Sequence, residues 1–405
     1  MRTVSLVAVA AVLAMSFGCD RAPKKIAKKV EKIAGNVDGG SPDKAQKDKK
    51  PKSGGGKGGA STGGGDGWQG AQIRDAKSRK AVCNNGDPAV MFWERASSAA
   101  AKDKWIVYFK GGGTCPNLDL CKKRWKDQPG LMKPPKVTMK PDTEGMFNAS
   151  KSLNPEFHDW NKVYVDYCSS DGWVGDRAAS KETNDWHFRG YRIAMAAIED
   201  LQDPKDSGRN DLDDADEIIF WGASVGSHAI KHHVDRFAGM FSKARVVGLN
   251  DSAYAPVVVD SMETARIANL KTAYELHAPV VDDSCKAGEK KNPWKCLDWE
   301  YVLDKYTSTP TFVYMDQFDS TSLKAQQIKG KESKDAKKFQ KTLIGMLDKH
   351  DGVFSTQEGI HVIGTKSKYF NLKVKAGDGQ KLSMHDVFTN WYFDRSGPKK
   401  VIPKP

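Results

Sequence analysis

The chain is short of the signatures that usually decide a class early. No Gly-Lys-Ser/Thr follows a glycine-rich stretch, and no acidic residue follows the glycines at dinucleotide spacing. A nucleotide-phosphate site is therefore set aside. No Cys-x-x-Cys or other metal-type cysteine spacing occurs, which argues against zinc. His228 and His232 stand one helical turn apart, with His233 beside them, but no carboxylate is arranged with them as in a zinc protease. Neither a metal nor a cofactor is expected. Basic runs are not combined with a nucleic-acid motif, so no nucleic acid is expected as partner. The apolar stretch at residues 4–14 is too short to cross a bilayer as a helix. Residues 20–66 have almost no large apolar side chains and cannot bury enough surface to offset their ordering entropy.

What is present begins with an export signal. Arg2, the apolar residues 4–14 and the small residue before Cys19 have the order of a secretory signal. Gly18-Cys19 ends it like a bacterial lipobox, with Ser16 and Phe17 departing from the usual pattern. Residues 1–19 read as a lipoprotein-type signal, with Cys19 the lipidated residue. Residues 20–66 read as a disordered tether, Lys-rich and then Gly-rich. They hold 12 basic and 6 acidic side chains, close to half of the formal net charge of +13. A basic stalk of this kind suits anionic lipid or cell-wall polymer. The expected location is the bacterial cell envelope through an N-terminal lipid anchor, or secretion if Cys19 stays unmodified.

Seven cysteines fit export. Without Cys19 six remain, an even set that suggests three disulfides. Cys115 and Cys121 are close in sequence, as are Cys285 and Cys296, which leaves Cys83 with Cys168.

The body, residues 67–405, is organised around Gly222-Ala223-Ser224-Val225-Gly226-Ser227. An apolar strand, residues 218–221, precedes it and a helical pattern, 225–237, follows. Gly-x-Ser-x-Gly between strand and helix is the nucleophile elbow of an α/β-hydrolase. The turn is tight enough that positions two before and two after the serine must be small. Residues 105–109, 162–168, 245–249 and 311–315 read as further strands, and 188–201 and 337–347 as helices. Residues 359–364 read as a short strand carrying His361. The alternation predicts a mostly parallel sheet flanked by helices. Residues 257–305 read as helical insertions forming a lid or cap. Gly111-Gly112-Gly113 leaves a strand where esterases place oxyanion donors.

Taken in order, several stretches resemble the pectin acetylesterase and Notum carboxylesterase family. They are Val82-Cys83-Asn84-Asn85-Gly86-Asp87-Pro88-Ala89, Phe109-Lys110-Gly111-Gly112-Gly113-Thr114-Cys115 and Tyr167-Cys168-Ser169-Ser170-Asp171-Gly172-Trp173. The elbow through Val234-Asp235-Arg236, and Gly248-Leu249-Asn250-Asp251-Ser252, also match. The resemblance implies a metal-free carboxylic-ester hydrolase with Ser224 as nucleophile, Asp319 as acid and His385 as base. It implies oxyanion N–H groups from Gly112, Gly113 and Val225, and it too pairs Cys83 with Cys168. Asp251 and Asp316 are rival acids, and His361 and His350 rival bases. The chain departs from the family at Val225-Gly226-Ser227, usually Ala-Gly-Gly, at Lys110, commonly Glu, and at Gly113, often Trp.

The reading is an extracytoplasmic serine esterase that removes acetyl or other acyl groups, with acylated polysaccharide among its candidate substrates. The alternatives are a catalytically weak or inactive binding protein on the same scaffold, and another acyl hydrolase such as a thioesterase or peptidase.

Overall fold

The computed structural model describes residues 67–202, 211–252, 254–377 and 379–404. Cys19 and the Lys- and Gly-rich segment, which carry the export and anchoring expectations, lie outside the described residues.

One sheet of nine strands runs through the described body. In chain order the strands are β1 Gln69–Gln72, β2 Val90–Glu94, β3 Lys104–Phe109, β4 Asn161–Val165, β5 Glu217–Ala223, β6 Arg245–Asp251, β7 Thr311–Asp316, β8 Gly352–Thr356 and β9 Lys400–Val401. Across the sheet their order is β1-β2-β4-β3-β5-β6-β7-β8-β9. The β1–β2 and β2–β4 pairs are antiparallel and every other pair is parallel. The helices are α1 Leu118–Asp127, α2 Gly190–Gln202, α3 Gly226–Ala238, α4 Asp260–His277, α5 Asp283–Gly288, α6 Trp299–Lys305, α7 Ser320–Ala325, α8 Lys334–Leu347, α9 Ser367–Phe370 and α10 Met384–Tyr392. A separate ribbon pairs Val374–Lys375 with Lys381–Leu382.

The run Ile218-Ile219-Phe220-Trp221 is continuously apolar because both faces of β5 are covered. Ile218 and Phe220 pack in one core with Ile230, Val234 and Phe237 of α3. Ile219 and Trp221 pack in the other with Val387, Phe388 and Tyr392 of α10. Strand β3 divides the same way, with Trp105, Val107 and Phe109 in the first core and Ile106 and Tyr108 in the second. Burying each such side chain stabilises the fold by about 1.5–3 kcal/mol.

From β3 the chain passes to β4 on one side and returns to β5 on the other. Loops leaving the carboxyl ends diverge at such a reversal, which opens a crevice above the sheet. Gly111 to Gly113 leave β3 there, and Ser224 leaves β5.

Two expectations are corrected. The strand expected over 162–168 ends at Val165, and Asp166-Tyr167-Cys168 leave the ladder toward a disulfide. Residues 359–364 are not a strand; β8 lies earlier, and His361 sits in the loop after it. The physical reason is competition for backbone donors. The Asp316 carboxylate accepts from Glu358, Gly359 and Ile360 N–H at 2.9, 3.0 and 3.2 Å, so these groups are not offered to a neighbouring strand. The insertion at 257–305 forms α4, α5 and α6, and its apolar side chains pack with Val174. The disulfides Cys83–Cys168, Cys115–Cys121 and Cys285–Cys296 are all formed.

Candidate active site

At the elbow, backbone crowding dictates the residues. A Cβ on Gly222 would stand 2.1 Å from Gly226 O, and one on Gly226 would stand 2.0 Å from Phe109 O. Between them Ser224 has φ 53°, a left-handed conformation that a non-glycine residue adopts only when its surroundings enforce it. Its N–H donates to Asp251 O at 2.8 Å. Buried Ser227 bridges Gly222 O and Asp251 O through its hydroxyl, at 2.8 and 3.0 Å, so the departure at this position adds a tie to the turn.

Three side chains meet in line above the elbow. Ser224 Oγ lies 2.8 Å from His361 Nε2, and His361 Nδ1 lies 2.8 Å from Asp319 Oδ2. Asp319 is fully buried, and its other oxygen accepts from Ser322 N–H at 2.6 Å as the N-cap of α7. With Nδ1–H donating to Asp319, Nε2 is free to accept from the serine hydroxyl. Burial disfavours the charged imidazole, but Asp319, by charge and hydrogen bond, and Asp251, by charge, outweigh this. The His361 pKa is raised above the ordinary histidine value.

The base expected from the resemblance, His385, is elsewhere. It occupies the first turn of α10, whose start is capped by Ser383 and Asp386. Its ring packs edge-on against Phe157 and Phe370, and its Nε2 lies 2.7 Å from Glu156 Oε2. His385 belongs to the aromatic packing between α10 and residues 156–160, and His361 takes the place beside Ser224. His350 is also away from the serine, beside Tyr254 and Asp304.

The rival acids hold the loop that carries His361. Besides its three backbone donors, Asp316 accepts from Thr356 Oγ1 and from Phe318 N–H. Asp251 accepts from Ile363 N–H at 3.1 Å and Gly364 N–H at 2.8 Å. The two buried carboxylates therefore grip the loop before and after the histidine. Burial pushes Asp251 up to about 6, against the pull of those two N–H groups and of His361.

The glycine loop lies directly against Ser224. A Cβ on Gly111 would meet Ala223 O at 2.6 Å and Ser224 Cβ at 3.0 Å. Gly112 and Gly113 have φ of 151° and 70°, values that favour glycine. Among the described residues, the N–H groups of Gly112, Gly113 and Val225 donate to no other protein group. Lys110, just before the loop, pairs with buried Asp166 at 2.8 Å. Val225, His228 and Thr114 all stand close to Gly172. Burial drives the His228 pKa well below its usual value. It does the same to His233, taken down to about 3, whose Nε2 lies 2.9 Å from Trp173 O.

A profile of the pectinacetylesterase family matches residues 68–404. The chain belongs to that family. The palmitoleoyl-protein carboxylesterase Notum of Schmidtea mediterranea is 27% identical over 348 residues, 81% of this chain and 63% of its own length. Pectin acetylesterase 11 of Arabidopsis thaliana is 29% identical over 263 residues, 62% of each chain. The match thus spans less than two thirds of either relative's length. Among solved structures, the Wnt deacylase Notum from Drosophila superposes with a TM-score of 0.69 at 23% identity, over 82% of this chain and 95% of that chain. The likeness shows the α/β-hydrolase fold.

His361, one of two rival bases with His350, was within reach of sequence reasoning. The missed signal was the strand Gly352–Thr356, with Val353, Phe354 and Thr356 suited to a strand. Placing it correctly puts His361 in a loop at a carboxyl end, where this fold carries its chemistry.

Proposed function

We propose that this chain is a serine carboxylesterase working through an acyl-enzyme. The observation that carries the reading is the unbroken line Ser224–His361–Asp319 at a strained elbow, with both contacts at 2.8 Å. Ser224 Oγ attacks the ester carbonyl carbon while His361 Nε2 takes its proton. The carbonyl oxygen, now negative, is met by N–H groups of Gly112, Gly113 and Val225. The imidazolium, stabilised by Asp319, gives its proton to the departing alkoxide, and the alcohol leaves. Water then attacks the acyl-serine with His361 again as base, and the carboxylic acid is released.

The site supports a short acyl group. Val225, buried next to the nucleophile, and His228 crowd the space beside Gly172 together with Thr114. Pectin acetylesterases among the relatives make acetyl on a polysaccharide the favoured substrate. The three disulfides support export to an oxidising compartment. Cys19 is assigned to lipidation and residues 20–66 to a tether, which would hold the enzyme at the cell envelope.

Purified protein should hydrolyse p-nitrophenyl acetate faster than p-nitrophenyl palmitate, and a serine-directed phosphonate should label Ser224. Esterase activity that survives in Ser224→Ala would defeat the reading.

A further inference from the structure

The glycine loop has a partner that the catalytic line does not use. Arg124 lies on α1, three residues after Cys121, and is only 4% exposed. Its guanidinium donates through Nη2 to Gly112 O at 2.6 Å and to Gly113 O at 3.3 Å. Nε donates to Ser170 Oγ at 2.9 Å, and Nη1 reaches Gln128 Oε1 at 3.5 Å. The helix that brings it is joined to the end of the loop by Cys115–Cys121.

A peptide group is planar, with its C=O and the next residue's N–H pointing opposite ways. Holding Gly112 O therefore sets the direction of Gly113 N–H, and holding Gly113 O sets that of Thr114 N–H. Glycines have many accessible conformations, so these directions need an external restraint. A charged donor on the carbonyl also polarises the amide, which strengthens its N–H as a donor at the far end. Guanidinium keeps its charge at any working pH. Such preorganised dipoles are what stabilise charge developing on a carbonyl oxygen.

We propose that Arg124 is a positioning residue for the oxyanion site, acting through the Gly112 and Gly113 carbonyls. This rests on the serine-esterase reading. Arg124 does not touch the substrate. It fixes the loop and makes the Gly113 N–H ready before the negative charge forms, so its contribution falls on the chemical step and not on substrate binding.

The test compares wild type, Arg124→Ala and Arg124→Lys on p-nitrophenyl acetate, with active sites counted by phosphonate labelling. Arg124→Ala should lower kcat per labelled site by about a hundredfold, with KM changed by no more than about twofold. Millimolar guanidinium should restore part of that rate, and should do nothing for Ser224→Ala. Arg124→Lys should fall between, since a point charge reaches one carbonyl at a time. The role is overturned if Arg124→Ala keeps kcat within about threefold per site. It is equally overturned if the loss only tracks the loss of labelled, folded protein in both variants, with no guanidinium rescue. A wild type that neither hydrolyses the ester nor takes the label overturns the esterase reading itself, and this proposal with it.

Discussion

Two loops meet at Ser224, and they are held by opposite kinds of group. The loop at residues 111–114 is gripped at its carbonyls, by the Arg124 guanidinium on Gly112 O and Gly113 O. Among the described residues, its Gly112 and Gly113 N–H groups donate to no protein group. The loop at residues 358–364 is gripped at its N–H groups, by the carboxylates of Asp316 and Asp251. What it presents is a side chain, His361. The polarity of the clamp thus matches the task. A site for an oxyanion needs free donors, so its carbonyls are occupied by a cation. A site for a base needs a fixed ring beside negative charge, so its backbone donors are occupied by anions, one of which also raises the basicity of that ring. The first loop is further tied to α1 by Cys115–Cys121, whereas the second has no covalent tie among the described residues.

The comparison breaks first at the histidine. His361→Ala should lower kcat/KM by roughly a thousandfold or more, because Ser224 loses its base. His385→Ala should leave turnover per folded molecule within a few-fold and lower thermal stability instead, since it removes a ring packed on Phe157 and Phe370. Steady-state kinetics with thermal melting on the pair decides it. The reverse ranking would restore His385 as the base.

Next comes the acid. Asp319→Asn should cost on the order of a hundredfold or more, since the amide cannot stabilise the imidazolium as a carboxylate does. It should also move the pH profile. The base must be neutral to act, so wild-type kcat/KM falls as pH drops through a pKa above that of free imidazole. Without Asp319, burial and its lowering effect dominate, and that acid limb should shift to lower pH. A limb that stays in place would mean another group titrates there.

The smallest effect tests the clamp on the second loop. Asp316→Asn replaces one accepting oxygen with a donor, leaving backbone N–H groups of the loop unpaired at about 1–3 kcal/mol. Stability should drop by that order, and kcat by roughly tenfold as His361 loses its fixed direction. Asp251→Asn grips only two N–H groups and should cost less. An Asp251→Asn defect as deep as Asp319→Asn would mean that Asp251 shares the role of the acid.

How much could be read in advance depends on how far apart the cooperating residues lie. The core strands were legible because both faces of β3, β5, β6 and β7 are buried, which leaves apolar runs in the sequence. The strand expected at β4 runs three residues too long because Tyr167 and Cys168 are as apolar as a strand but turn away to serve the disulfide. Arg124 carried no signal of its role, since a helical arginine in a Lys-rich stretch reads as surface.

The sequence by itself determined the elbow and the glycine loop. At Gly222 the constraint is local, since a Cβ would strike Gly226 O four residues on; Gly226 and Gly111 are held to glycine by Phe109 O and Ala223 O on neighbouring strands, but the glycines themselves stand in the sequence for any reader to find. The disulfide partners were equally legible, since two pairs are near neighbours and only one pairing remained. Tertiary structure alone decided which late histidine reaches the serine. Ser224 and His361 are far apart along the chain, and the strand-forming residues before His361 point to a loop position without showing that the loop reaches Ser224. The choice was made where β8 ends and where Asp316 and Asp251 capture the loop that follows. Those are long-range hydrogen bonds to backbone N–H groups, which every residue but proline possesses and no sequence pattern records.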